Sequence, residues 1–146
     1  MHATCSEEAV LFMNDDVVLV EDSISKCLSL LDAGSGRDVG TVGIKLLYPD
    51  GTIQHNGQFA SFQAGRFVGV GHIEWKQPDF KAKGPRLVLG NTGAFLMCRR
   101  EDFIAVGGFD TEFKHSLEDV KLNLEIMKLG RCNICNSTTW AWHAES

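Results

Sequence analysis

Between residues 39 and 59 the sequence spells a β-hairpin. Val42, Ile44 and Leu46 alternate with Gly43, Lys45 and Leu47, Pro49-Asp50-Gly51-Thr52 makes a turn, and residues 52–59 run back as a second strand. Elsewhere strand-like and helix-like segments alternate irregularly. An antiparallel hairpin set among such segments predicts a mixed-sheet α/β domain. At 146 residues the chain suffices for one domain with a real core.

The remaining segments follow from periodicity and punctuation. Residues 9–13 read as a short buried strand. Residues 21–31 read as a helix, with Ile24, Cys27, Leu28 and Leu31 at helical spacing, Asp22 or Ser23 as cap, and Gly34-Ser35-Gly36 as stop. Residues 61–85 hold glycines, prolines and isolated aromatics, and are assigned only as a loop-rich insertion with a short strand near 67–70. Residues 87–98 read as a strand interrupted at Asn91-Thr92-Gly93-Ala94, and 100–106 as a short helix ended by Gly107-Gly108. The strongest helix is 117–129, with Leu117, Val120, Leu124 and Met127 on one face and Gly130 as left-handed stop. Residues 131–135 and 138–143 close the chain as short strands.

Charge and cysteines exclude several functions. A net charge of −5 without a basic cluster argues against nucleic acid as partner, and leaves any anionic ligand in need of a local cation. No apolar run approaches the ~20 residues of a membrane span, and MHATCSEEAV lacks the pattern of a signal peptide, so the cytoplasm is the expected compartment. The five cysteines are odd in number and set mostly among apolar neighbours, as buried reduced thiols are. Cys132-Asn133-Ile134-Cys135 has the spacing of half a zinc site, but no second half exists.

Three polar stretches stand out. In LFMNDDVVLV an apolar run stops for Asn14-Asp15-Asp16 and resumes. The triplet suits an Asx turn, and equally a site where residues 14 and 16 turn their oxygens toward magnesium or manganese beyond a strand end. Two carboxylates among apolar neighbours need more than a turn to offset desolvation. Ser116-Leu117-Glu118-Asp119 opens the best helix; locally it reads first as a capping box favoured by the helix dipole, and second as an acid pair offering a general base. In Trp140-Ala141-Trp142-His143, strand alternation sets both tryptophans on one face and the histidine on the other; such a histidine is more often hydrogen-bonded than metal-bound.

Taken in order, these segments resemble the inverting family 2 glycosyltransferases of the GT-A fold, especially bacterial rhamnosyltransferase-like members that build surface polysaccharides. LFMNDDV resembles the DxD-type motif and VGIKLLYPDGTIQHNG the family's hairpin segment. NTGAFLMCRREDFIAVGGFDTEF, LEDVKL and WHAES follow in the family's order and spacing. The resemblance runs from about Leu11 to the end of the chain.

The resemblance implies a partial GT-A-like mixed sheet, with residues 1–146 as the C-terminal, metal- and acceptor-binding half of the domain and the N-terminal nucleotide-binding half missing. It implies transfer of a sugar, with inversion, from a nucleotide-sugar donor to a saccharide or lipid-linked saccharide acceptor. Peripheral membrane association would come through a full-length protein. Asp16 and His143 would hold Mg²⁺ or Mn²⁺, with Asn14 replacing the first acid of the motif and Asp15 as its variable middle, on the substrate. Asp119 would be the general base, Glu118 its neighbour, and Thr92 and Gly93 would lie along the transferred sugar. Lys121 departs from the acid common in the family, and Glu125 or Lys128 from a frequent arginine, both on the acceptor side. The alternative is a non-catalytic carbohydrate- or partner-binding remnant of the same fold. A glycoside hydrolase is disfavoured, because adjacent residues 118 and 119 cannot straddle a glycosidic bond.

Overall fold

The computed structural model describes residues 8–32, 38–79, 84–112 and 117–144. In chain order the described elements are β1 (Ala9–Met13), β2 (Val17–Leu19), α1 (Ser23–Asp32), β3 (Val39–Leu47), β4 (Ile53–His55), β5 (Gln58–Gln63), β6 (Arg66–His72), β7 (Pro85–Val88), β8 (Phe95–Arg99), α2 (Arg100–Ala105), α3 (Glu118–Lys128) and β9 (Cys132–His143). The main sheet runs β1-β8-β3-β9-β2, with β4 added to β3 and β7 to β9, while β5 and β6 form a separate two-stranded ribbon. β3 and β9 are parallel and the other main-sheet pairs antiparallel. The sheet is therefore mixed, as the sequence predicts.

Alternation along β8 sorts the core into two layers. Phe95 and Met97 pack with Val42, Ile44 and Leu46 of β3 and with Cys27 and Leu31 of α1. Leu96 and Cys98 point the other way, to Leu122 and Ile126 of α3 and the aromatic group Phe12, Phe103 and Phe109. With helices on both faces every residue of β3 is buried, so its alternation is not half-exposed. Even Lys45 lies inside, its ammonium 2.6 Å from Asp79.

Several local expectations hold. Asp22 caps α1 by accepting the Ser25 N–H at 3.0 Å, while Ser23 turns inward to Thr139 at 2.6 Å. Positive φ at Gly107 and Gly130 ends α2 and α3. The stop at 34–36 lies outside the described residues.

Other expectations are corrected. The return strand stops at His55; Gly57, with φ of +105°, turns the chain out of the sheet and Gln58 begins the ribbon. The insertion at 61–85 thus contains β6 and the second half of β5. Residues 87–98 are two strands with different partners, β7 on β9 and β8 on β1 and β3. The two closing strands are one, β9, with a register shift opposite Ile44 and Lys45. The face of α3 is also reversed: Leu122, Asn123 and Ile126 are buried, while Leu117, Leu124 and Met127 stay exposed. Two apolar faces competed on this helix, and the one continuous with a polar clamp on the sheet went inside.

That clamp positions the site. Asn123 Oδ1 accepts from the Thr41 hydroxyl at 2.7 Å and from the Asn91 N–H at 3.1 Å, and Asn123 Nδ2 donates to the Asn91 carbonyl at 2.9 Å. Asn91 Nδ2 donates in turn to Thr41 Oγ1 at 3.0 Å. Gly43 makes room for this packing, since a Cβ there would lie 2.2 Å from Asn91 Oδ1. The first turn of α3 and the segment after Asn91 are thereby locked to one strand.

Candidate functional site

A cleft of about 1060 Å³ opens where the Asn14–Asp16 turn, the Thr92–Ala94 segment, the start of α3 and the ends of β6 and β9 converge. Asp16, Asp110, Glu118 and Asp119 line it together with His72 and His143, and no lysine or arginine is among its described lining residues. An anion entering such a cleft needs a cation with it.

Three residues join β1 to β2, which are opposite edges of the sheet. Asn14 C=O accepts the Val17 N–H at 3.2 Å, so the turn reading holds. Pairing of Val17 with His143 brings Asp16 beside the end of β9, with Asp16 Oδ1 2.9 Å from His143 Nε2. Asn14 and Asp15 are exposed and Asp16 half-buried, which removes the desolvation argument drawn from their apolar neighbours. Asp15 stands at the turn without lining the cleft, because adjacent residues of a tight turn diverge.

His143 is held from both sides. Its Nδ1 lies 2.5 Å from Gln54 Oε1 and its Nε2 faces Asp16, with the Asn14 amide 3.3 Å away. With Gln54 Oε1 facing Nδ1, the Nε2 lone pair and the Asp16 carboxylate can converge on one cation. The donor set suits magnesium or manganese, which take one or two protein oxygens and complete their shell with water and substrate phosphate. Asn14 can add its amide oxygen, since rotation about its last side-chain bond exchanges the oxygen and the nitrogen. Among the described residues no group of three or more His, Cys, Asp and Glu stands together as a self-sufficient metal cluster. Cys135 is no ligand as it stands, because burial pushes its thiol up to about 12.

Across the cleft, Asp119 accepts the Gly93 N–H on Oδ2 at 2.9 Å and the Val120 N–H on Oδ1 at 2.7 Å. Each oxygen retains a second lone pair. The expected capping box is corrected: the N-cap of α3 is Leu117 in the left-handed region at φ +76°, without a side-chain cap bond, and Ser116 lies outside the described residues. Asp119 itself serves the first turn. Glu118 Oε2 is buried with no hydrogen-bond partner among the described residues, on a residue that lines the same cleft. Lys121 pairs with Asp110, which holds the Asp110 carboxyl below and the Lys121 ammonium above their ordinary ranges.

Gly93 faces the cleft, and among the described residues a Cβ there would meet only Asp119 Cβ at 3.6 Å, an ordinary contact. Packing does not demand glycine here. Gly93→Ala is expected to change stability by no more than about 0.5 kcal/mol in thermal melts while narrowing the cleft. A large loss of stability would show that the glycine serves the fold.

Sequence reasoning missed Gln54, His55 and His72. His55 is 1% exposed; its Nε2 faces the Gly57 N–H at 3.3 Å and the Thr92 N–H at 3.5 Å, and its Nδ1 lies 3.0 Å from Nδ1 of His72. Burial, then the neighbouring His72, pulls its pKa down to about 3, with the Asn91 side chain opposing. Gln54 and His55 belong to a segment whose sequence marks only a hairpin and His72 to the loop-rich insertion, and no local spacing announces partners 17 to 89 positions away.

No family model matches the chain. It is 35% identical over 152 residues to the O-antigen biosynthesis protein RfbC of Myxococcus xanthus, covering 97% of this chain and 11% of that protein. It is 36% identical over 148 residues to the uncharacterized protein y4gI of Sinorhizobium fredii (strain NBRC 101917 / NGR234), covering 95% of this chain and 15% of that protein. The chain thus spans a small part of the curated relatives it matches. Among solved structures it is similar to A197 from STIV, with a TM-score of 0.55 and 15% identity over 95% of this chain and 59% of that one. That likeness concerns the fold alone. Among the described residues no helix is long and apolar enough to cross a membrane.

Proposed function

We propose that this chain is the metal- and acceptor-binding half of a cytoplasmic, GT-A-type, family 2 inverting glycosyltransferase acting in surface polysaccharide synthesis. The observation that carries the reading is the meeting of Asp16 with His143 at 2.9 Å in one cleft with Asp119. The relative named for O-antigen biosynthesis supports the pathway class.

Asp16 and His143, with Asn14, would hold Mg²⁺ or Mn²⁺ and through it the diphosphate of a nucleotide-sugar. The cation, when bound, supplies Lewis-acid stabilisation of charge on the departing diphosphate. Gln54 orients His143 so that Nε2 faces Asp16. Asp119, fixed by two backbone N–H groups, takes the proton from the acceptor hydroxyl as its oxygen bonds to the anomeric carbon and the bond to the diphosphate breaks. Attack from the face opposite the leaving group inverts the configuration. Thr92 and Gly93 lie along the transferred sugar, and Glu118 stands beside the base.

Mn²⁺ binding, followed by electron paramagnetic resonance, tests the metal site. Inorganic pyrophosphate is expected to tighten binding, because it supplies the oxygens the chain does not. Asp16→Asn is expected to weaken the ternary complex by about tenfold or more, at least ~1.4 kcal/mol. Unchanged affinity in that variant would remove Asp16 from the site.

A further inference from the structure

We propose that the groove between α3 and β6 binds the hydrocarbon of a lipid-linked saccharide acceptor whose sugar end lies in the cleft. This rests on reading the cleft as a sugar-transfer site, and it narrows the acceptor to an amphiphile.

The groove is a second opening of about 680 Å³. One wall is the outer face of α3, where Val120, Leu124 and Met127 continue the apolar stripe begun by Leu117, while Leu122 and Ile126 fill the core on the inner face. The other wall is β6 of the ribbon, which contributes Phe67 and Val68, both more than half exposed among the described residues. The charged side chains among the described lining residues are Lys121, Glu125 and Lys128. They are held in ion pairs, Lys121 with Asp110 and Lys128 with Glu125 at 2.9 Å. What the groove presents to a ligand is thus mainly apolar surface. The 11 residues of α3 give a wall of about 16 Å, longer than an extended octyl chain.

Continuity with the cleft selects the occupant. Val70, Leu117 and Val120 line both openings, and Asp119 lies on the same helical turn as Leu117 and Val120. A protein partner seated on the groove would cover these shared walls and crowd the approach to Asp119. A ligand with a sugar at one end and a hydrocarbon at the other fills both openings. The sugar end suits the cleft, whose carboxylates and Thr92 hydroxyl exchange hydrogen bonds with hydroxyls. Leu117 marks the junction. It is half exposed and stands in the left-handed region at φ +76°, where glycine or asparagine fits with less strain. Its side chain makes no cap bond, so what leucine contributes is apolar surface where the two openings meet.

The test titrates the chain with methyl, hexyl and octyl glucosides and the matching rhamnosides, below their micelle-forming concentrations, and follows the leucine, valine and methionine methyl signals. The methyl glycosides are expected to move cleft signals alone, and the octyl glycosides to move those of Leu124 and Met127 as well. Octyl is expected to bind about tenfold more tightly than hexyl, the worth of two buried methylenes. Leu124→Ser and, on the opposite wall, Phe67→Ser should each cut that gain to about threefold or less, with methyl-glycoside binding and the fold unchanged. Leu117→Gly should also cut the gain, at an equal or higher melting temperature, because glycine relieves the left-handed strain. The assignment is overturned if octyl binds no more tightly than methyl, or if the gain survives both wall substitutions. A concentration-dependent dimer that Leu124→Ser dissolves would overturn it too, giving the groove to a second copy. So would binding to sugar-free phosphatidylcholine vesicles that Leu124→Ser abolishes, which would give it to a bilayer. In a full-length protein, Leu124→Ser should raise KM for an octyl glycoside acceptor and leave KM for the nucleotide-sugar unchanged. Octyl binding in the groove without any transfer by the full-length protein would sink the transferase reading and leave this one standing. Transfer to methyl and octyl glycosides with equal KM would do the reverse.

Discussion

In a full-length protein that carries both halves of the domain, Asp119→Asn is expected to lower the rate of sugar transfer by about 10²- to 10⁴-fold, the usual worth of a general base. The substitution is nearly isosteric, and one amide oxygen still accepts either the Gly93 or the Val120 N–H. The other N–H loses its partner beside an open cleft, which costs roughly 1 kcal/mol of stability. Mn²⁺ affinity with pyrophosphate should stay as in the unsubstituted chain, because Asp119 does not share the Asp16–His143 contact. The decisive comparison is single-turnover transfer in Asp119→Asn and Glu118→Gln. Glu118 Oε2 is a buried carboxylate oxygen without a hydrogen-bond partner among the described residues, and it adjoins Asp119, so it is the neighbouring base to test. Full activity in Asp119→Asn together with a collapse in Glu118→Gln would transfer the role to Glu118 and leave Asp119 as a brace for Gly93 and the helix start.

Asn123→Leu is expected to destabilise the fold by roughly 3–5 kcal/mol, a large share of the 5–15 kcal/mol that holds a typical domain. Leucine fills a similar volume but makes none of the bonds. The Asn91 N–H and C=O and the Thr41 hydroxyl, all enclosed, would lose partners at about 1–3 kcal/mol each. The midpoint of urea unfolding reads the effect. A change below about 1 kcal/mol would mean that the clamp relaxes onto other partners. Because Asn123 sits one turn after Asp119 and Asn91 precedes Thr92, the same substitution should loosen the cleft before the protein unfolds, seen as faster amide exchange at Gly93.

Much of the architecture was legible in the sequence because its causes are local. β1 was bounded by apolar residues and polar stops, α1 by its spacing and the Asp22 cap, and the turn at Pro49–Thr52 by the dihedral preferences of proline and glycine. The candidate residues were legible too, though only as types in an order. What local pattern could not settle was any choice made by a distant partner. Helix α3 has two apolar faces, and Asn123, which no hydrophobicity pattern would place inside, is buried because Thr41 and Asn91 satisfy it. The ribbon of β5 and β6 is visible only once each strand has the other beside it.

The cleft is tertiary in the same sense. By itself the sequence determined that acids stand after β1 and at the start of α3, and that a histidine closes β9. Only the sheet order decided that Asp16 and His143, 127 positions apart, touch, because β2 and the end of β9 pair as neighbours. Only the fold decided that Gln54 and His55, on one short strand, turn to two different histidines of the cleft, His143 and His72. A side chain's neighbours along the chain set its conformation, but its hydrogen-bond partners, and with them its tautomer and chemistry, are set by whichever strands the core brings alongside.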